Sequence, residues 1–592
     1  MVTSLMLLGS ALVGLQFVDA GPRTKIPLTL AAICVVLFFA VSIVSDHLTG
    51  AGFNESVIYH LQTGLEGAAI RDFHGLIWSG AGILTISLGV VIGLIWLTPR
   101  YLRTKARLRI PAYAPVAMAL LAVAVHEVPR KLVEMRRIST DSEVHISQFK
   151  APEPLAPVPK PVNFVWIYGE SLERTYLDET LFPGLTPGLK SLDAESLSFT
   201  DIRQYPGTEW TVAGMVASQC GSPLPTVGGP GGSLGAYPVF LPGAVCLGDL
   251  LSQAGYQLSY IGGADLHFAG KGKFYRSHGF RDVRGLKELE PVVADNSRNS
   301  WGIYDDQLFD IVFQQYQSLR KSSGPFGLVT LTTGTHHPVG NIPARCGDLK
   351  YQDGSNPMLN AVHCSDRLIT ELVRKIRADD PNTMIVIASD HLAMPNGAYD
   401  KLEKGTRRDL FMVNWPSHIK PALSTRTAGT FSTGVTVLNL MGYDITKLGL
   451  GRSLLRAKPT LAEKHKDFSS LVSSWLPQLT ALWQLPQSVD AITIDPQRVT
   501  LAIGRQTFPL PVAINLDERG GIKRMAFDNP EVTVDQVVEP LKDEGLIWVD
   551  ACKNMYPKLG RAVEISEGWC LWRGRTREIG SVDRVRSVSI RM

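Results

Sequence analysis

The sequence predicts an α/β protein: a mainly parallel sheet flanked by helices, preceded by a helical membrane domain and followed by a small β-rich domain. Three observations carry this reading. Apolar segments crowd the N-terminal region, apolar strand-like runs alternate with amphipathic helical stretches from about Asn163 onward, and alternating strands separated by turn residues take over near the C-terminus. At 592 residues the chain exceeds the usual size of one domain. The expected divisions are a membrane domain over 1–127, a juxtamembrane segment and Pro-rich linker over 128–162, a central α/β domain over 163–456 and an accessory domain over 457–592.

Four apolar segments can be drawn, at roughly Thr3–Val18, Ile26–Val44, Leu76–Leu97 and Ala112–Val125. A membrane span needs about 20 residues, so the first and last are short. A cleaved signal peptide would account for the first, with VDA before Gly21 as the cleavage site, but the positive n-region is missing. The basic stretches GPRTK and PRYLRTKARLR belong on the cytoplasmic side by the positive-inside rule, which makes everything after Val125 extracytoplasmic. HEVPRKLVEMRR runs mildly against that orientation, and is suited to lie on anionic lipid heads. The net charge of +4 is too small for this length to argue for nucleic acid.

Cysteine usage fits export. Cys34 sits in a membrane span, leaving Cys220, Cys246, Cys346, Cys364, Cys552 and Cys570 as an even set in the exported part. Sequence order suggests pairing 220 with 246, 346 with 364 and 552 with 570, one of many connectivities that six cysteines allow. No close C-x-x-C pair points to a cysteine metal site.

After the Pro-rich KAPEPLAPVPKPV, the strand NFVWIY ends in Gly169, Glu170 and Ser171, QLSYIGG in Ala264 and Asp265, FGLVTLT runs into His336 and His337 of THHP, and TMIVIAS ends in Asp390 and His391. The carboxyl ends of strands in an open parallel sheet form the ligand crevice, so these residues should converge there. Any one of them alone is as well explained as a helix cap or turn residue; together they suit a divalent ion such as Mn²⁺, Mg²⁺ or Zn²⁺. YPGTEWTVAGMVASQC places Thr208 and Thr211 just before a helix-like run. Either could cap that helix, and the same position suits an attacking alkoxide.

GESLERT, PGTEWTVAGMVASQCG, GKGKFYRSHGF, WGIYDD, THHP, NAVHCSDR and SDHLAM closely resemble the phosphoglycerol transferase I family, which decorates osmoregulated periplasmic glucans (membrane-derived oligosaccharides). That family falls in the alkaline phosphatase and sulfatase superfamily, with lipoteichoic acid synthase and lipid A phosphoethanolamine transferase. The likeness covers the chain from the membrane spans through the two C-terminal cysteines. It implies that the central domain is a catalytic, sulfatase-like one, with Glu170, Asp390, His391 and a threonine at a single-metal site, with Mn²⁺ as the expected ion. By analogy with the transferase relatives, helix placement favours Thr211 as nucleophile, with Thr208 as the alternative. His336 matches a phosphate-contacting histidine, with His337 beside it, while Asp265, Lys271 and Lys273 fall where relatives hold the glycerol phosphate head group.

The implied enzyme is an inner-membrane, multi-pass glycerophosphotransferase with its catalytic domain in the periplasm. It would move phosphoglycerol from phosphatidylglycerol to glucose residues of periplasmic glucans and release diacylglycerol. Two other readings remain: a phosphodiesterase or phosphatase that passes the group to water, and a non-catalytic, membrane-tethered glucan-binding protein. A sulfatase is disfavoured because CGSPLP lacks the arginine of the C/S-x-P-x-R context. In the accessory domain, KDFSSLVSSWLPQLTALWQL reads as an amphipathic helix and AITIDPQRVTLAIGRQTFPLPVAIN as successive strands. Trp548, Trp569 and Trp572 could stack on sugar rings, although core packing is the better expectation.

Overall fold

The computed structural model describes residues 2–18, 21–63, 67–97, 110–135, 144–150, 152–226, 239–484, 491–496, 499–503, 506–517, 521–527, 545–560, 562–574, 580–585 and 588–591. It divides into two compact units, residues 1–61 with 69–137 and residues 62–68 with 138–592.

The first unit is helical. α1 (Val2–Gly14), α2 (Pro22–Thr49), α3 (Glu55–Thr63), α4 (His74–Leu97), α5 (Tyr113–Ala124) and α6 (Glu127–Met135) follow in order. Two stretches, Pro22–Thr49 and Ile70–Trp96, are long and apolar enough to cross a membrane; α1 and α5 are shorter apolar helices. Neighbours run in opposite directions: Trp96 Nε1 at the end of α4 donates to Thr29 Oγ1 near the start of α2 (3.1 Å), and Ser4 Oγ on α1 donates to the Ala122 carbonyl of α5 (2.6 Å). Small residues let the helices approach, with Ala11, Ala31, Ala32, Ala119 and Ala122 buried in one cluster with Leu8, Leu28 and Ile95.

The second unit is built on an eight-stranded sheet. Its strands are β1 (Phe164–Gly169), β2 (Leu197–Phe199), β3 (Gln257–Gly262), β4 (Asp282–Arg284), β5 (Phe326–Leu331), β6 (Met384–Ser389), β7 (Phe411–Asn414) and β8 (Ala422–Ser424), in the order β8-β2-β7-β6-β1-β5-β3-β4. Only β7 runs against the rest. Continuous burial of β1, β5 and β6 explains why their sequences are mostly apolar: both faces are covered, and the polar side chains they carry, such as Thr330 and Ser389, are small and buried.

On one face, α7 (Pro187–Ala194), α11 (Asp305–Lys321) and α12 (Pro357–Asp379) pack against Val165, Ile167, Leu328, Ile385 and Ile387. The other face meets α8 (Thr211–Cys220), α9 (Leu247–Gln253), α10 (Lys271–Ser277) and α13 (Phe431–Leu440); there Tyr168 Oη and Ser218 Oγ of α8 lie 2.6 Å apart. Disulfides join Cys220 to Cys246, Cys346 to Cys364 and Cys552 to Cys570, the pairing that sequence order suggests.

The C-terminal region follows α14 (Phe468–Leu479). Strands β9 (Ala491–Asp495), β10 (Thr500–Ile503), β11 (Gln506–Pro509) and β17 (Val588–Arg591) form one antiparallel sheet, and β12 (Val512–Leu516), β13 (Ile522–Phe527), β14 (Gly545–Ala551), β15 (Trp569–Gly574) and β16 (Gly580–Arg584) another. Ile492, Ile494, Leu501 and Phe508 of the first share a core with Val512, Ile514, Ile547 and Leu571 of the second. Val239, from the central region, joins that core. Trp548 and Trp572 are paired across β14 and β15 and fully buried under α15 (Cys552–Lys558), while Trp569 is half-buried; the first two therefore pack rather than offer a platform to sugar.

Candidate active site

Strand register puts the site together. Gly169 of β1 is paired with Ser389 of β6, so the residues that follow, Glu170 and Asp390, leave adjacent strands side by side. Ser171 turns the chain sharply, in the left-handed region at φ 54°, where a side chain is costly and only a well-held turn persists. Its N–H donates to Asp390 Oδ1 (2.8 Å) and its hydroxyl to Glu170 Oε1 (3.0 Å). Glu170 is held from β5 as well, its N–H donating to Thr332 Oγ1 (2.9 Å) and its carbonyl accepting from Thr335 Oγ1.

Glu170, Asp390 and His391 are all buried, and one ligand atom from each lies within 4.8 Å of the others. His391 Nε2 stands 3.3 Å from Glu170 Oε1 and 3.4 Å from Asp390 Oδ2. Its Nδ1 donates to the Leu392 carbonyl (2.7 Å), which fixes the ring with Nε2 toward the carboxylates. Asp390 Oδ2 and His391 Nε2 are buried without a hydrogen-bond partner. Burial raises the Asp390 carboxyl well above its ordinary range, and the Glu170 charge adds to that. Burial opposes a charged His391, but Asp390 and Glu170 outweigh it and push its pKa up to about 10. Two carboxylates thus compete for one imidazolium proton, a shortage of positive charge that a divalent cation would relieve, and the oxygen and nitrogen donors suit such an ion. A second group, Cys220, Cys246 and His278, holds no metal because its cysteines are joined to each other.

Thr211 opens α8, and its hydroxyl donates to Glu170 Oε2 at 3.3 Å. It is not the cap of that helix. The capping position belongs to Trp210, in extended conformation, and Thr211 is the first helical residue. Thr208 is turned away, its Oγ1 donating to the Tyr205 carbonyl (2.8 Å) and accepting from the Tyr205 N–H (3.0 Å). The two threonines are separated by this local turn, and only Thr211 joins the cluster.

His336 and His337 lie beyond β5. His336 Nδ1 donates to the His337 carbonyl (2.8 Å), and burial lowers the pKa of both rings. Sequence reasoning assigned no part to Trp301, yet its ring stacks on His336 with centroids 3.7 Å apart. The only trace of it was the WGIYDD segment. Just beyond that tryptophan, Asp305 of α11 accepts from the N–H groups of Thr333 (2.8 Å) and Gly334 (2.9 Å), fixing the turn that leads to His336.

Lys271 is buried, and burial lowers its pKa to about 8 although Glu170, Asp265 and Asp390 partly offset it. Its Nζ donates to the Phe268 carbonyl (3.0 Å) and lies 4.7 Å from the Phe268 ring centroid. Lys273 is buried on the same helix. Asp265 is engaged by neighbours that sequence reasoning did not foresee: its Oδ1 accepts from the His267 N–H (2.8 Å), and Lys287 Nζ lies 3.3 Å from Oδ2.

A mainly parallel sheet that gathers such a cluster at its strand ends, between two layers of helices, has the alkaline phosphatase/sulfatase fold; residues 162–443 match the family model described as Sulfatase. Residues 1–142 match the model for the N-terminal domain of Phosphoglycerol transferase I, and residues 490–590 the model for its middle domain. Phosphoglycerol transferase I of Escherichia fergusonii is 36% identical over 92% of this chain and 71% of its own length. The protein of that name from Salmonella newport is 36% identical over 90% of this chain and 70% of its own length. The chain belongs to the phosphoglycerol transferase I family. Among solved structures, lipoteichoic acid synthase LtaP from Listeria monocytogenes is 17% identical, covers 60% of this chain and 96% of its own, and has a TM-score of 0.43.

Proposed function

We propose that this protein is an inner-membrane glycerophosphotransferase that moves phosphoglycerol from phosphatidylglycerol to glucose hydroxyls of periplasmic glucans, releasing diacylglycerol. The observation that carries the reading is the Thr211 hydroxyl, set at the first turn of α8 and hydrogen-bonded to Glu170 of the buried Glu170–Asp390–His391 cluster. Family membership gives the reaction class. Two helices of membrane-spanning length and three disulfides support a catalytic domain on the oxidising, periplasmic side.

Glu170, Thr211, Asp390 and His391 would hold the cation, Mn²⁺ in this reading. Bound there, it supplies Lewis acidity and lowers the pKa of a coordinated hydroxyl. The α8 N-terminus favours negative charge at Thr211 Oγ1. In the first displacement Thr211 Oγ1 attacks phosphorus, the bond from phosphorus to the diacylglycerol oxygen breaks, and a phosphoglycerol-threonine forms. A glucose hydroxyl then attacks the same phosphorus and frees the threonine. His336 and Lys271, with Lys273, His337 and Asp265 around them, would bind the phosphoglycerol oxygens. Two displacements require ping-pong kinetics.

The test is transfer of label from phosphatidylglycerol to a β-glucan by the purified full chain, with and without Mn²⁺, comparing wild type and Thr211→Ala. Transfer by the wild type alone is expected. Equal transfer by both removes Thr211 as nucleophile, and release of free glycerol phosphate in place of labelled glucan makes the protein a phosphodiesterase.

A further inference from the structure

Buried polar atoms without partners also collect in the helical unit, near the C-terminal ends of α2 and α5. They are Ser42 Oγ on α2, Asn54 Nδ2 just before α3 and His126 Nε2 just after α5. His126 is fully buried and Ser42 is 2% exposed. None of the three atoms has a hydrogen-bond partner among the described residues.

All three are donors. The Val128 N–H donates to His126 Nδ1 (3.2 Å), so in the neutral ring Nδ1 is the acceptor and Nε2 carries the hydrogen. Asn54 Oδ1 accepts from the Val57 N–H (3.3 Å) at the start of α3, which leaves the amide nitrogen pointing elsewhere. Ser42 does not make the bond to the carbonyl four residues back that Thr29 and Thr49 make in the same helix. Packing draws the three segments together. Phe53, Ile58 and Val128 form one buried cluster with Phe38 and Val57 against it, the Phe38 ring lies 5.5 Å from that of His126, and Ser42 follows Phe38 by one helical turn on the same face. The next helix, α6, adds exposed Arg130 and Lys131 beside exposed Leu132 and Val133.

Three buried donors with no acceptor call for a ligand that brings acceptors, and Arg130 on α6 supplies a cation to set against Glu55 and Glu127, which follow Asn54 and His126 directly. Exposed leucine and valine beside that arginine favour a ligand attached to an apolar chain. We propose that this cluster binds the phosphodiester of a phospholipid, with its non-bridging oxygens accepting from His126 Nε2, Asn54 Nδ2 and Ser42 Oγ. None of these residues belongs to the catalytic cluster, so the assignment does not rest on the function proposed above.

The test uses the full chain in detergent, carrying Thr211→Ala so that no lipid is turned over, and measures retention of phosphatidylglycerol by native mass spectrometry. Asn54→Asp keeps the helix cap while replacing a donor with a charge that repels phosphate; Ser42→Ala removes one donor with little risk to the fold. Asn54→Asp is expected to weaken retention by about tenfold or more and Ser42→Ala by a few fold, with melting temperatures close to the parent. Diacylglycerol, which lacks the phosphate, should bind equally to all three proteins. The proposal is overturned if both variants retain phosphatidylglycerol like the parent, if diacylglycerol binds as tightly as phosphatidylglycerol, or if inorganic phosphate alone displaces the lipid at equal concentration, which would mark a site for the free ion.

Discussion

A Cβ on Gly214 would stand 1.8 Å from the main-chain oxygen of Asp390. Helix α8, which presents Thr211, therefore rests directly on the chain that presents Asp390, and glycine is the residue that lets them meet. Gly214→Ala must push the two apart. A displacement of about 1 Å at a reacting group costs on the order of 100-fold in rate, so label transfer should fall by about that factor. Turnover equal to wild type would show that this contact does not set the position of Thr211.

Thr332 supports Glu170 from behind, accepting its N–H while itself fully buried. Thr332→Val preserves shape and removes that acceptor. Loss of a group that orients a ligand lowers metal affinity by about 10–100-fold, which competition with a chelator, read by elemental analysis, would detect.

The stack of Trp301 on His336 gives a graded expectation. Trp301→Ala should lower kcat/KM by about tenfold, the scale of one aromatic contact, while Trp301→Phe keeps most of the activity. Equal loss in both variants would mean that the indole N–H, rather than the ring face, matters.

Glu173 and Arg407 form a buried ion pair, with side-chain exposures of 0% and 16%. Glu173 also accepts from the Ala393 N–H (3.0 Å), steadying the chain just after His391. Glu173→Gln removes the buried counter-charge and leaves Arg407 only the exposed Glu403, whose Oε1 lies 3.1 Å from Nη1, so the loss falls below the about 3–5 kcal/mol of an ion pair broken wholly in the interior. A lowered melting temperature is the expected result.

Asp366 of α12 accepts from the N–H groups of Gly188 (3.0 Å) and Leu189 (2.6 Å) at the start of α7. Burial outweighs those bonds and pushes its pKa up to about 6 from 3.8. The folded chain thus holds this proton more tightly than the unfolded chain. The stability it contributes is complete below about pH 4 and is lost as pH rises through 6, by no more than about 3 kcal/mol. Melting temperatures of wild type and Asp366→Asn between pH 4 and 7 should show the weaker pH dependence in the variant.

The gathering of polar residues at one edge of the sheet was legible because they follow apolar runs that read as interior parallel strands, and strand ends in such a sheet share one edge. Strand pattern did not separate Glu170, Asp390 and His391 from Asp265, His336 and His337, which follow apolar runs in the same way; the family resemblance singled them out. The choice between Thr208 and Thr211 did not follow from pattern, since both precede the same helix; it turns on a three-residue loop that closes Thr208 back on Tyr205. Trp301 and His336 lie on different segments, and no spacing announces a ring stack. Asp265 was legible as a strand-end carboxylate, but its partner Lys287 comes from another element and depends on packing alone.

Val239 fills the interior of the C-terminal sandwich, and the Trp483 indole donates to the Pro225 carbonyl (2.9 Å). The catalytic region and the sandwich are thereby interleaved in three dimensions although they are sequential in the chain. The sandwich cannot be traded between relatives as a cassette cut at the end of the sulfatase-like stretch. A chimera would have to carry the Val239 segment with it or expose an unfilled hole where that valine belongs.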